Sequence, residues 1–122
     1  MTLQELYTLI GGDYEQATKI MRRDRLIDRY IRKLSSSQVG ESLAAAGEKL
    51  DATGMFESAH AMKGVCANLG LVTLSEAASE LAEEFRPGTA RKYTDEQVRE
   101  KLSAIAALYQ RTIDGIRQYE QG

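Results

Sequence analysis

His60, the single histidine of this 122-residue chain, opens the run His60-Ala61-Met62-Lys63-Gly64. Free imidazole is substantially neutral at pH 7 and has a lone pair able to attack phosphorus. On a helix, a lysine three residues on lies one turn away, where its ammonium meets the oxygens of an arriving phosphoryl group. Gly64 removes bulk at the following position, although glycine inside a helix costs roughly 1 kcal/mol relative to alanine. That cost points to a steric purpose, and Ala61 and Ala67 keep the surrounding surface low. Phosphoryl transfer depends on positioning and charge stabilisation, so such a nucleophile must stand clear of its helix for the attacking and leaving groups to align. Each residue alone has a plainer explanation: a solvated histidine, a lysine whose alkyl stem covers apolar surface, a tolerated glycine. Their combination is what carries information.

Other chemistries find little support. Cys66 is the sole cysteine, so no intrachain disulfide forms, and one Cys with one His falls short of an ordinary zinc site. His60 has no Ser, Cys or metal partner at motif spacing, and no glycine-rich phosphate loop is present. The expectation is a protein that is not an enzyme, binds no cofactor or metal of its own and carries no ATP site. No apolar stretch approaches the roughly 20 residues that span a bilayer, and Met1-Thr2-Leu3-Gln4-Glu5 lacks the pattern of a signal peptide; a cytoplasmic protein without membrane contact is expected. Arg22, Arg23, Arg25, Arg29, Arg32 and Lys33 make one stretch basic within a chain of net charge −2. A solvated helix face explains that stretch better than nucleic-acid binding.

The elements that must position His60 read as helices throughout. The chain has one Pro and two Phe, and its many Ala, Leu, Glu, Lys and Arg favour helix over sheet. A short helix from Thr2 to Ile10 breaks at Gly11-Gly12. A second starts at the Asp13 cap and runs through Ile20, Ile27, Tyr30, Ile31 and Leu34, read as one buried stripe, to Ser35-Ser36-Ser37. A third spans Gln38 to about Ala52, and Thr53-Gly54 turns the chain. The motif helix, from about Met55 to Leu69, carries Met55, Ala59, Met62, Cys66 and Leu69 at steps of four and three, an inward seam. At about 100° per residue, His60 points roughly 140° from the centre of that seam and Gly64 faces almost directly outward. Thr73-Leu74-Ser75-Glu76 has the form of a capping box ahead of a helix that ends at Pro87-Gly88. Thr94-Asp95-Glu96-Gln97 repeats the pattern before a long last helix. One apolar stripe per helix and short connections predict an all-α, up-and-down antiparallel four-helix bundle with additional short N-terminal helices, forming one domain over residues 1–122.

His60-x-x-Lys63-Gly64, followed by Ala67-Asn68-Leu69-Gly70 and the helix from Leu74 to Phe85, resembles the core of histidine-containing phosphotransfer (HPt) domains. With Gly11-Gly12-Asp13 and the helix pair ahead of the histidine, the likeness covers roughly residues 10 to 86. The resemblance implies that His60 accepts a phosphoryl group from a receiver-domain aspartate and passes it to another, in a two-component phosphorelay. Lys63 would then stabilise the phosphoryl group and Gly64 provide access, with Mg²⁺ held by the partner receiver. It also implies response-regulator receiver domains and a hybrid sensor histidine kinase as partners, met as transient heterodimers of a monomer, with Ala67 and Phe56 giving the docking surface apolar contact, while Phe56, between seam and surface, reads at least equally as a core residue. Some relatives orient the histidine ring with a Glu or Gln on the next helix, but the aligned residue here is Ala82. Ser79 and Glu83 lie nearby, although Glu83 reads with Glu76, Glu80 and Glu84 as a solvated acid. The competing reading is a helical adaptor that binds a signalling partner without carrying phosphate.

Overall fold

Thr2 opens the first helix through a reciprocal capping box: its side chain accepts the Glu5 N–H at 3.1 Å, and the Glu5 carboxylate accepts the Thr2 N–H at 2.8 Å. In the computed structural model, which describes residues 1–122, this helix α1 covers Leu3–Ile10 and ends at Gly11 in the left-handed region. Six more helices follow and there is no strand: α2 (Tyr14–Met21), α3 (Asp24–Ser35), α4 (Val39–Glu48), α5 (Ala52–Asn68), α6 (Val72–Glu84) and α7 (Asp95–Gln121). The Thr94–Gln97 capping box that starts α7 forms as the sequence predicts.

α5 packs between α4 and α6, and both of those meet α7, which makes a four-helix bundle; α1 and α3 lie against α7, and α2 against α3 and α5. Met55, Ala59, Met62 and Cys66 of α5 share one core with Leu74, Ala78 and Leu81 of α6 and Ile105, Ile113 and Ile116 of α7. The predicted seam of α5 is therefore the centre of the core. Burial pushes the Cys66 thiol up to about 12, so it stays protonated. α4 and α7 close the bundle incompletely. A groove of about 590 Å³ separates them, floored by Leu43, Ile105 and Ile113 with Met62 beneath, and the Tyr109 hydroxyl is buried there with no hydrogen-bond partner. No helix is long and apolar enough to cross a membrane.

Four features differ from the sequence reading. The helix predicted from Asp13 to Leu34 is two helices, because Arg22 adopts φ 71° and ends α2. Lys19 in the last turn of α2 and Asp24 in the first turn of α3 each suit the dipole of their own helix end, a signal for a break there. The change of direction leaves Ile20 and Tyr30 exposed, while Ala17, Ile27, Ile31 and Leu34 supply the buried contacts. The turn predicted at Thr53-Gly54 lies instead at Lys49–Asp51, with Leu50 at φ 51°. Gly54 falls inside α5, where a Cβ would sit 3.1 Å from that of Ala46, so it serves close approach of α4. Thr73 does not cap α6, which begins at Val72. Finally, Glu84 is not a solvated acid but a buried one, accepting the backbone N–H groups of Lys92 at 3.0 Å and Tyr93 at 2.8 Å and facing Arg91 at 3.4 Å. It pins the α6–α7 connection.

Candidate functional site

Because the buried seam of α5 presses Met55, Ala59, Met62 and Cys66 into the core, the other side of the helix faces solvent. His60 stands exposed on it, and Gly64 one turn on is exposed too. A Cβ built at Gly64 meets nothing within 4 Å, so packing does not require glycine there. Lys63 is half-buried and takes part in none of the five ion pairs of the molecule. Phe56 and Ala67, half-buried, lie one turn before and two turns after the histidine on the same side of α5. The structure thus gathers His60, Lys63, Gly64, Phe56 and Ala67 along a single strip.

Two bonds fix the strip from below. Gly70, at φ 68°, ends the helix, and its carbonyl accepts the Asp13 N–H at 2.8 Å; a Cβ at Gly70 would fall 2.3 Å from the Asp13 carbonyl oxygen. Only glycine satisfies both the left-handed backbone and that approach. The buried Tyr7 hydroxyl donates to the Leu69 carbonyl at 2.6 Å, tying α1 to the same helix end. On the neighbouring helix, the Ser75 hydroxyl donates to the Lys63 carbonyl at 3.1 Å and joins α6 to α5 beside the site. Sequence reasoning gave Ser75 to a cap and so missed this contact.

α6 also brings side chains to the edge of the strip. Ala82, the position aligned with the ring-orienting residue of some relatives, is buried and has no polar side-chain atom to offer. Glu83 accepts the Arg86 Nε–H at 3.1 Å and a second bond from the same guanidinium. That hydrogen bonding, against a small cost of burial, holds the Glu83 carboxyl below the usual carboxylate range, and the charges of Arg86, Lys63 and His60 add to it. Glu83 therefore senses the histidine and lysine electrostatically while bonded to Arg86. The Arg86 guanidinium lies over the Phe56 ring, 5.8 Å from its centroid. The His60 and Phe56 rings stack at 5.7 Å with an interplanar angle of 23°. The histidine makes no side-chain hydrogen bond. Arg86 escaped sequence reasoning because its neighbour Pro87 marked it as the end of a helix; the four-residue spacing of Phe56 and His60 was the available signal for the stack.

No group of three or more His, Cys, Asp or Glu side chains is placed to hold a metal ion. The arrangement offers an accessible nucleophilic ring, an unpaired cation one turn away and a bare helix surface beside both. No curated protein and no solved structure matches the chain. A family model described as the Hpt domain matches residues 29–116, which includes α4 to α6 whole and most of α3 and α7.

Proposed function

The chain belongs to the Hpt domain family, whose members serve histidine phosphotransfer in phosphorelays, and on that premise we propose that His60 carries a phosphoryl group between the aspartates of two receiver domains. The observation that carries this reading is the exposed His60 imidazole beside an unpaired Lys63 and an open Gly64. In the loading step a ring nitrogen attacks the phosphorus of an aspartyl phosphate. An N–P bond forms, the P–O bond to the aspartate breaks, and the carboxylate leaves with the electron pair. The reverse displacement on a second receiver discharges the histidine. Lys63 lowers the energy of the charge that develops on the phosphoryl oxygens, and the bare surface at Gly64 lets the receiver approach in line. Mg²⁺ belongs to the receiver, where it offsets the negative charge of the acyl phosphate.

Phe56 and Ala67 give the docking surface apolar contact near the histidine, in an interface small enough to release. The partners are a hybrid sensor histidine kinase upstream and a response regulator downstream, each bound in turn by a monomer. Hpt domains are phosphocarriers rather than kinases, so the group arrives already activated. The test is incubation with a receiver domain loaded with labelled phosphate. Acid-labile, base-stable label on the chain, lost in His60→Gln, is the expected result. Label that survives that substitution removes His60 from the mechanism, and stable binding of receivers with no label at all favours the adaptor reading.

A further inference from the structure

We propose that Phe56 is a positioning residue for the His60 ring, holding it by offset stacking where an edge-on hydrogen bond is lacking; this rests on the phosphoacceptor reading above. A transferable phosphoryl group needs a ring whose torsions are restricted, because the attacking nitrogen must lie on the line of the leaving oxygen. Ala82, the α6 position aligned with the ring-orienting residue of some relatives, is buried and apolar. The acid beside it, Glu83, already accepts two bonds from Arg86. What restrains the imidazole is the Phe56 ring, one turn earlier on the same face of α5, stacked on it at 5.7 Å and 23°.

Phe56 is itself fixed. It packs against the core cluster, and the Arg86 guanidinium lies over its ring. Arg86 in turn is tethered through Glu83 to α6, the helix that Ser75 joins to α5. Restraint passes from α6 through Glu83, Arg86 and Phe56 to the imidazole. A ring held by its face keeps both edge nitrogens free. The stack survives protonation or phosphorylation at either nitrogen, whereas a hydrogen bond to one of them fixes a single tautomer.

The test pairs a spectroscopic readout that needs no phosphate with a labelling reaction that needs no partner. In protein labelled with ¹⁵N-histidine, the carbon-bound ring protons of His60 should show the ring-current shift of the stack. That shift should collapse in Phe56→Leu and persist in Phe56→Tyr, and both neutral tautomers should be present in the unsubstituted protein. Phosphoramidate, a small donor whose ammonia leaves as the histidine nitrogen attacks phosphorus, then reports the reactivity of the ring. Phe56→Leu should lower the labelling rate about tenfold at unchanged helicity, and Phe56→Tyr should keep it within about twofold. A ring-current shift unchanged by Phe56→Leu overturns the stack. A collapsed shift with an unchanged labelling rate, or a single tautomer fixed by a hydrogen bond, overturns the positioning role. Failure of phosphoramidate to label His60 while the shift behaves as expected sinks the phosphoacceptor reading and the positioning role with it, an outcome distinct from the other two.

Discussion

The α5–α6 hairpin and the α4–α7 seam are opposite ways of joining two helices. At the hairpin, a connection of only three residues is welded to the N-terminus of α2 through Gly70, and Ser75 bridges the helices beside Lys63. At the seam, a groove of about 590 Å³ remains open and a tyrosine hydroxyl is buried without a partner. The difference teaches where precision is needed. The helix that presents the imidazole is held at its end by a close backbone approach that only glycine permits, whereas the α4–α7 boundary leaves a groove and an unsatisfied hydroxyl.

The comparison is broken most severely at Gly70. Gly70→Ala forces a Cβ onto the Asp13 carbonyl in a left-handed backbone, and urea unfolding should show a loss of about 4 kcal/mol. A loss below about 1 kcal/mol would mean that the weld yields. Next comes Glu84, which ties the loop joining the tight and loose halves. Although burial opposes its ionisation, the N–H groups of Tyr93 and Lys92 and the Arg91 guanidinium hold its carboxyl below the usual range. A depressed folded value means that the unfolded chain binds the proton more readily. The contribution is therefore fully present above the unfolded value of about 4.3 and drains away as pH falls through the folded one. Glu84→Gln should cost about 2 kcal/mol at pH 7, and the deficit should shrink in unfolding measured toward pH 3. A deficit independent of pH would separate the effect from the charge.

Smaller changes sharpen the contrast. Gly64→Ala introduces a Cβ into open space and should stabilise the protein by about 1 kcal/mol in the same assay. A loss instead would mean that the bare surface is structural after all. Tyr109→Phe removes the unpartnered hydroxyl from the seam and should be neutral or stabilising by about 0.5 kcal/mol. A cost above about 1 kcal/mol would show that the hydroxyl has a partner in solution, water included.

How much of this was legible depended on whether one physical cause acted at each residue. The α5 seam was readable because Met55, Ala59, Met62 and Cys66 answer only to burial, at strict helical spacing. The exposure of His60 followed from the same angles. The break at Arg22 was faintly marked, since the left-handed backbone falls on neither Gly nor Pro and only the charges of Lys19 and Asp24 signal the helix ends. Gly54 and Ser75 misled because each resembles local punctuation but serves a contact between helices, with Ala46 and with the Lys63 carbonyl. Glu84 looked like its exposed neighbours because its partners lie in a loop several residues away. Within the candidate site, His60, Lys63 and Gly64 were visible as a short pattern on one helix. The Glu83–Arg86 pair was not, because it reaches Phe56 only once α6 folds back.

The bonds from Tyr7 to the Leu69 carbonyl and from Asp13 to the Gly70 carbonyl start in residues ahead of the family-matched segment, which begins at Arg29. Trimming the protein to that segment would uncap the end of the histidine-bearing helix and expose the apolar side of its last turn to water. A stable form of this domain should therefore need the first two helices as well as the family-matched stretch, and a swap of that stretch into another signalling chain should carry those helices along.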